Sequence, residues 1–460
     1  MCDDSPVTTA RALSAPVTPS ATAPAPAAEV AQDSRRAEPR VTQNATHQLS
    51  LQSDDRRYSV GFAGLVQFDV GDYLAVRPRT PGVGPQDLSD GVNARRARIG
   101  VSGTAARDWR FAFVYDAGNS QDSTPKGIQT AQVVYAGLPG VAVEIGYSNT
   151  FFTLDQATAG ADTLFLERAT PSNIATGFNT GDNRANVGVR LFGDRYWVGG
   201  YLTGPASGDS HTLSGERLGA FERAAFQVVS GRNGSAHLGV GVDQLLRAPN
   251  AGPGTPDSLT LSDPPELRLD PTPLVNTGAL GTAAHPVTGG YVLDVETAAT
   301  WKGLFWQGEY YRYAVDRRGL DAARFNGGYG QIAWTLTGET HGYNPQAGAY
   351  YRIFPAHPFS LERGGVGAIE IAGRVSYLDL TPGVMRGAAL SATPDAINGG
   401  RQLGYTLGLN WYPNDLLRFM LDYNHVVFGK DNTSATGAVP LGAPVGASLD
   451  AISLRSEVVF

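Results

Sequence analysis

The chain has 460 residues, 57 of them glycine, with 17% charged residues and a formal net charge of −7. A domain that binds nucleic acid carries a basic excess, so this charge balance argues against a nucleic-acid partner. Cys2 is the only cysteine and the seven histidines are scattered. The composition therefore excludes a disulfide framework, and we expect neither a cofactor nor a bound metal.

Residues 1–57 differ in composition from the rest of the chain. The stretch PVTPSATAPAPAAEVAQDSRRAEP is rich in Ala, Pro, Ser and Thr. Such a segment cannot bury enough apolar surface to order itself, so we predict that residues 1–57 are disordered. Residues 1–28 also lack the apolar core of a signal peptide. We therefore expect that the true start lies upstream or that the signal has been removed.

From Tyr58 onward, apolar residues recur at every second position, which is typical of β-strands with one polar face. In YSVGFAGLVQFDV, for example, Val66 and Phe68 share one face while Gln67 and Asp69 share the other. No run reaches the ~18 to 20 apolar residues that a membrane helix requires. Aromatic residues flank the segments, among them Trp197, Trp306, Trp334 and Tyr412. The pattern predicts about sixteen strands, near 58–72, 91–104, 107–118, 128–138, 140–151, 184–194, 195–204, 220–232, 235–246, 290–303, 304–316, 324–338, 367–380, 400–413, 415–429 and 447–460.

Tight turns alternate with long polar connections between these strands, which indicates an antiparallel up-and-down meander. The connection 339–366 is long where a short one is expected, so it contains a missed strand or is an enlarged turn. A soluble sheet of this size would need a second apolar layer, and the sequence provides none. The pattern therefore predicts an all-β, transmembrane barrel of about sixteen strands over residues 58–460, with lipid outside, water inside and no unpaired edge. Its partner is then a lipid bilayer, in a Gram-negative outer membrane.

The stretch NARRARIGVSG places Arg96 and Arg98 on the face opposite Ala97 and Ile99. An arginine at the bilayer midplane costs ~2 to 4 kcal/mol, so these side chains must point into the lumen. The same parity predicts that further arginines point inward: Arg110, Arg190, Arg223, Arg374, Arg418 and Arg455.

Two interpretations of these arginines stay open. A column of guanidinium groups in a water-filled tube attracts anions, as arginine rings do in anion and phosphate pores. Alternatively, the arginines form a structural ladder with carboxylates of the same parity, namely Asp69, Asp116, Glu144, Asp422 and Glu457.

The connection 153–183 carries an apolar patch, Leu164, Phe165 and Leu166, within a polar sequence. Packed on the inner wall of a barrel, this patch would turn the connection into a constriction loop that presents Glu167 and Arg168 to the pore. The alternative is a short amphipathic turn folded over the barrel mouth.

Several stretches resemble the phosphate-selective porin O/P family of Gram-negative outer membranes. They are RRARIGVSGTAARDWRFAFVYD, FLERATPSN, FPAHPFSLERGGVGAIEIAGRVSYLDL and LNWYPNDLLRFMLDYNHVVF, followed by the terminal strand ISLRSEVVF. The resemblance covers roughly residues 58–460. A final phenylalanine, here Phe460, also resembles the signal by which outer-membrane assembly machinery recognises barrels.

The resemblance implies a homotrimer of sixteen-stranded barrels, with an inward third loop that forms an eyelet for phosphate or polyphosphate. It implies that Arg95 and Arg96 occupy the position of the eyelet arginine pair and Arg168 that of the third-loop arginine. Phosphate-selective members use lysines at the eyelet, and this third loop has none. The chain is thus expected to be a porin for small inorganic anions, with a general diffusion porin of weak anion preference as the alternative.

The sequence argues against two further classes of protein. A barrel enzyme of the lipase type would pair His425 with Ser434, but strand parity directs His425 toward lipid. A secreted β-solenoid adhesin would show a fixed internal repeat, and the sequence has none. We therefore expect no catalytic residues and no enzymatic activity.

Overall fold

A computed structural model describes residues 40–43, 49–78, 88–118, 127–179, 183–206, 215–231, 233–383, 396–432 and 444–460. The strands in chain order are β1 Arg40–Gln43, β2 Leu49–Gln52, β3 Ser59–Pro78, β4 Gly91–Ala105, β5 Trp109–Asp116, β6 Gly127–Tyr135, β7 Val141–Asn149, β8 Asn183–Phe192, β9 Tyr196–Thr203, β10 Leu218–Gly231, β11 Gly234–Arg247, β12 Ser262–Asp263, β13 Val275–Asn276, β14 Val287–Trp301, β15 Leu304–Arg317, β16 Ala323–Thr335, β17 Gly342–Asn344, β18 Ala349–Tyr351, β19 Ala368–Asp379, β20 Arg401–Tyr412, β21 Leu417–Asp431 and β22 Pro444–Val459. Two short helices, α1 Leu154–Ala157 and α2 Thr170–Gly177, follow β7. Within the described ranges, the structure contains no helix long and apolar enough to cross a membrane.

Sixteen of these strands close into an antiparallel barrel, as predicted. Each pairs with the next along the chain, from β3 through β11, then β14, β15, β16 and β19 to β22. The last strand, β22, pairs with β3, from Ala447 opposite Pro78 to Val459 opposite Leu65. Closure leaves every barrel strand with two neighbours, so no backbone edge faces the lipid.

The alternation of the sequence sorts the side chains between the two faces of the barrel wall. Ile99 and Leu407 are 61% and 64% exposed on the outer face, whereas Gln67 and Asp69 are 1% exposed on the inner face. This arrangement is apolar outside and polar inside, which is the reverse of a soluble sheet over a core.

The predicted flanking aromatic residues divide between the two faces. Trp306 and Trp334 lie on the outer face, but Trp197 and Tyr412 are fully buried inside. Their inward parity follows from their outward neighbours, since Val198 is 45% exposed.

The sheet extends beyond the barrel into the segment 1–57 that was predicted to be disordered, most of which lies outside the described residues. There β1 pairs with β2, and β2 pairs with the start of β3 at Gly61 and Val60. The chain ends at Phe460, which exchanges backbone hydrogen bonds with Gly64. Because β22 stops there, the first residues of β3 have a free edge, and β2 covers it.

Candidate functional site

The ten arginines predicted to line the pore are held mostly by ion pairs. Seven of them lie within 3.2 Å of a carboxylate oxygen: Arg95 and Arg455 at Glu167, Arg455 also at Asp69, Arg98 at Asp116, Arg168 at Asp155, Arg190 at Glu144, Arg223 at Glu296 and Arg374 at Glu266. Of the other three, Arg96 donates to Gln67, Arg110 to Gln346, and Arg418 to the backbone carbonyls of Ala161, Thr163 and Leu164. Most of these guanidinium groups are therefore fixed in position by designated acceptors.

A β-bulge brings Arg95 and Arg96 to the same face. Strict alternation would send Arg95 outward, yet Arg95 is 0% and Arg96 5% exposed. The pairing of β3 with β4 shifts register here, since Gln67 faces Arg96 while Asp69 faces Asn93. Between these two pairs, one residue of β3 lies opposite two residues of β4, and the extra residue turns Arg95 inward.

The third loop (residues 150–182, between β7 and β8) contacts the inner faces of strands around the barrel. Leu164, Phe165 and Leu166 are 1–2% exposed. The Phe165 ring lies 4.5 Å below the Arg374 guanidinium on β19, and the Leu166 N–H donates to Asp422 on β21. The apolar patch therefore packs against the wall, and neighbouring backbone groups bond to polar side chains on it.

The first residues of the third loop make a second set of contacts, with a strand across the barrel. Both the Leu154 N–H and the Asp155 N–H donate to the Glu309 carboxylate on β15, at 2.7 and 3.0 Å. Thr153 caps α1 by accepting from the Gln156 N–H, as is typical of helix N-termini. These bonds attach the start of the loop to a strand distant from β7.

Glu167 lies at the centre of the charged network. Its carboxylate accepts two bonds from Arg95, at 2.6 and 2.8 Å, and one from Arg455 at 2.9 Å. Burial opposes ionisation of Glu167, but the charges of Arg95 and Arg455 outweigh it and hold the pKa of this carboxyl well below its usual range. Glu167 is therefore a fixed negative charge between two fixed positive ones.

Arg95, Arg96 and Arg168, which the resemblance assigned to the eyelet, line one cavity. Gly160, Thr163, Leu166, Glu167 and Asn173 complete its wall. The cavity has room for about one water molecule. The structure places the three predicted arginines together here, and it pairs Glu167, which was expected to face the pore, with Arg95 and Arg455.

A hairpin that sequence reasoning missed enters from the opposite end of the barrel. The connection 336–367 carries β17 and β18, which we call the inner hairpin (residues 342–351). Its Gln346 carbonyl accepts from Arg190 at 2.8 Å and from Trp197 at 3.0 Å. Arg223 donates to the Ala347 and Gly348 carbonyls at 3.0 and 2.7 Å.

The inner hairpin is also anchored at both ends. His341 contacts Glu370 at 2.6 Å, and Arg352 contacts Glu457 at 3.1 Å. Of the two alternatives for this connection, it is an enlarged turn, which contains two short strands, and the barrel still has sixteen strands. The only sequence signal was the excess length of the connection.

The fifth loop (residues 248–286, between β11 and β14) supplies further partners that the sequence did not reveal. Glu266 accepts from Arg374, Ser376 and Thr406 on the wall and from the Thr170 N–H at the start of α2. Asp263 pairs with Arg268 at 2.7 Å and accepts from Asn173 on α2. The third and fifth loops are thus packed against each other.

Arg184 was also missed, although its parity on β8 equals that of Arg190. It is 0% exposed and pairs with Asp243 at 3.2 Å. Following the two-residue alternation of β8 back from Arg190 by six residues would have identified Arg184 as inward-facing.

His425 lies on the outer face, as strand parity predicted. Its Nδ1 is 2.7 Å from Asp450, which also accepts from Tyr423 and pairs with Arg77. Ser434, the other residue of the lipase alternative, lies outside the described residues. Every described contact of the His425 ring nitrogens is with a carboxylate.

The closed sixteen-stranded barrel with an apolar exterior and a charged interior defines an outer-membrane porin. The sequence profile of the phosphate-selective porin O and P family matches residues 64–460, so the chain belongs to this family. It is similar to Porin O of Pseudomonas aeruginosa, with 22% identity over 394 residues that cover 82% of this chain and 84% of the relative. It is also 29% identical over 392 residues to an uncharacterised protein of Caulobacter vibrioides, covering 81% and 69% of the two chains.

Among solved structures, the fold is similar to that of OmpT, an outer membrane protein of Vibrio cholerae. The TM-score is 0.51 at 11% sequence identity, over 88% of this chain and 98% of the other. At this identity the likeness concerns the fold alone.

Proposed function

We propose that this porin conducts small anions through a pore constricted by the third loop, and that phosphate-like oxyanions bind weakly at the eyelet. The observation that carries the proposal is the meeting of Arg95, Arg96 and Arg168 at one water-sized cavity against Glu167. Three guanidinium groups and one carboxylate at a narrow place favour anions, and low-dielectric walls focus their field. Guanidinium also suits phosphate, because its planar fork matches the oxygens of an oxyanion.

Two arginines that donate to neutral acceptors also support selectivity for anions. Arg110 is exposed and donates to the Gln346 side chain at 3.4 Å, while Arg418 is bound by backbone carbonyls. Neither has a carboxylate within 4.0 Å among the described residues. Neither guanidinium is therefore held in a direct ion pair there, and both contribute positive charge to the barrel interior, which attracts anions.

The second candidate function is a general diffusion porin with weak anion preference. It is favoured by the ion pairs of the other arginines, since a paired guanidinium contributes little to the field along the pore. The two candidates differ in whether an oxyanion occupies the eyelet long enough to slow chloride.

Planar-bilayer conductance in chloride, titrated with phosphate or pyrophosphate, distinguishes them. An eyelet site predicts that millimolar pyrophosphate blocks the chloride current, and that Arg96→Gln weakens the block. Arg77→Gln is the matched control, because it removes the same charge from the outer face. The absence of block at millimolar concentrations eliminates the oxyanion site and leaves general diffusion.

We further propose that the chain functions as a homotrimer and has no enzymatic activity. We also propose that the outer-membrane assembly machinery recognises Phe460. Support for the trimer comes from the family resemblance. Support for the role of Phe460 comes from its ring, which is 41% exposed on the outer face against Gly64. Chemical cross-linking in membranes tests the trimer, and truncation of Phe460 tests assembly. A reactive-serine probe that labelled the purified protein would contradict the lack of enzymatic activity.

A further inference from the structure

Three acidic side chains meet inside the barrel wall on two adjacent strands. Asp294 and Glu296 lie on β14 and Glu309 on β15, and they are 1%, 1% and 4% exposed. Each offers a carboxylate oxygen within 4.8 Å of the others. Glu296 is directly opposite Glu309 in the sheet, an arrangement that is destabilising for two like charges unless something lies between them.

Glycines on the neighbouring strand make room for this cluster. On β11, Gly239 is opposite Glu296 and Gly241 is opposite Asp294. A Cβ atom at Gly239 would lie 2.0 Å from the Glu296 Oε1, and one at Gly241 would lie 2.6 Å from the Phe152 carbonyl oxygen of the third loop. A side chain at Gly239 would therefore displace the Glu296 carboxylate, and the Gly241 position faces loop backbone.

The hydrogen bonds of the cluster leave one carboxylate without any donor. Glu296 accepts from Arg223 and contacts His237, and Glu309 accepts from the Leu154 N–H. Neither oxygen of Asp294 receives a hydrogen bond from the described residues, and the Tyr311 hydroxyl, directly opposite Asp294 in the sheet, also has no partner there. A buried carboxylate that accepts no hydrogen bond is strongly unfavourable, so a positive ligand is expected.

We propose that Asp294, Glu296 and Glu309 bind one calcium ion. Calcium takes oxygen ligands, chiefly carboxylates, carbonyls and water, at 2.3–2.6 Å. Two such ligands on opposite sides of the ion are separated by up to about 5 Å, which the spacing of these oxygens meets. With three carboxylates and the one guanidinium of Arg223 on Glu296, a divalent cation brings the cluster to neutrality.

The ion would connect the barrel wall to the third loop. Glu309, one of its ligands, accepts from the Leu154 and Asp155 N–H groups at the start of α1. Calcium at this position would fix the Glu309 carboxylate and, through it, the first turn of the loop. This role is independent of which solute the pore conducts.

The test uses purified, folded porin stripped with EDTA and then dialysed against micromolar calcium. We expect one calcium per chain by elemental analysis. We also expect terbium, a calcium analogue, to show tyrosine-sensitised luminescence that calcium displaces, because Tyr311 and Tyr329 adjoin the cluster. Asp294→Asn should weaken calcium binding at least tenfold, and Tyr311→Phe should reduce the luminescence.

Asp422→Asn is the control, since it removes another buried, inward aspartate charge far from the cluster and retains an acceptor for the Leu166 N–H. It should bind calcium like the original protein, and heat-modified mobility on gels verifies that each variant is folded. No calcium at millimolar concentration, or equal binding by Asp294→Asn, would overturn the proposal and indicate that the carboxylates share protons instead.

Discussion

Arginine side chains inside this barrel are held in place by ion pairs that are also hydrogen bonds. Arg455 donates to both oxygens of Asp69 on β3 and to Glu167 on the third loop. Burying such charges costs several kcal/mol per ion, and pairing roughly recovers that cost. The pairs therefore contribute little net stability, but they fix where the loop sits, because breaking one leaves a buried charge alone.

Removing the charge of Glu167 should increase anion selectivity. Glu167→Gln removes the negative charge that lies between Arg95 and Arg455 at the eyelet, while Arg455 keeps its bonds to Asp69. A unit charge about 8 Å from a path in water shifts an ion's energy by about 0.5 kcal/mol, so the chloride preference should rise about twofold or more. Reversal potentials of the reconstituted variant measure this change.

Glu222→Gln provides the control, because Glu222 lies on the outer face of β10 and the substitution removes the same charge. An unchanged or lower chloride preference in Glu167→Gln would show that Glu167 does not adjoin the ion path.

Asp263 in the fifth loop should make the stability of the folded protein depend on pH. Burial raises the pKa of this carboxyl to about 6, even though Arg268 favours its ionised form. Because the folded protein holds the proton more tightly than the unfolded chain, this stabilisation is complete below pH ~4 and is lost as the pH rises through 6. The shift corresponds to about 3 kcal/mol.

Thermal unfolding at pH 4 to 7 checks this prediction. The melting temperature of Asp263→Asn relative to the original protein should rise over this range, since the amide cannot lose a proton. Asp257→Asn, in the same loop, is the control. Parallel curves for Asp263→Asn and the original protein would contradict the assignment.

Among the elements, the third loop is held to the barrel wall partly by the packing of one aromatic ring. Phe165 packs beneath Arg374, and a Cβ atom at Gly408 on β20 would lie 3.0 Å from its ring. Phe165→Ala should cost about 3–5 kcal/mol, as is typical of buried phenylalanine. We expect a lower unfolding temperature and noisier single-channel currents as the loop moves.

Phe62→Ala is the control, because Phe62 is 61% exposed on the outer face. Steady currents from Phe165→Ala would indicate that polar contacts alone hold the loop.

The inner hairpin should narrow the pore from the other end. Replacing residues 343–350 by two glycines removes the carbonyls that accept from Arg190 and Arg223, together with the occupied volume. Single-channel conductance in KCl should increase. Deletion of residues 361–364, an exposed turn in the same connection, should leave conductance unchanged. Equal conductance for both deletions would show that ions do not pass the hairpin.

At the scale of the whole molecule, the barrel was predictable because lipid imposes a period of two on every strand. Ile99 and Arg98 fall on opposite faces for that reason alone. The register of β3 and β4 was not predictable, since a bulge depends on where neighbouring strands pair, and it reversed the face of Arg95. The inner hairpin and the Glu266 contacts were also hidden, because loops fold by tertiary contacts that leave no periodic signal.

The central claim, a water-filled barrel that favours anions, is tested most directly by the reversal potential of the reconstituted porin across a KCl gradient. The arrangement of guanidinium groups predicts a reversal potential that is shifted from zero toward the equilibrium potential of chloride. A reversal potential of zero, or one shifted toward the equilibrium potential of potassium, would contradict this claim.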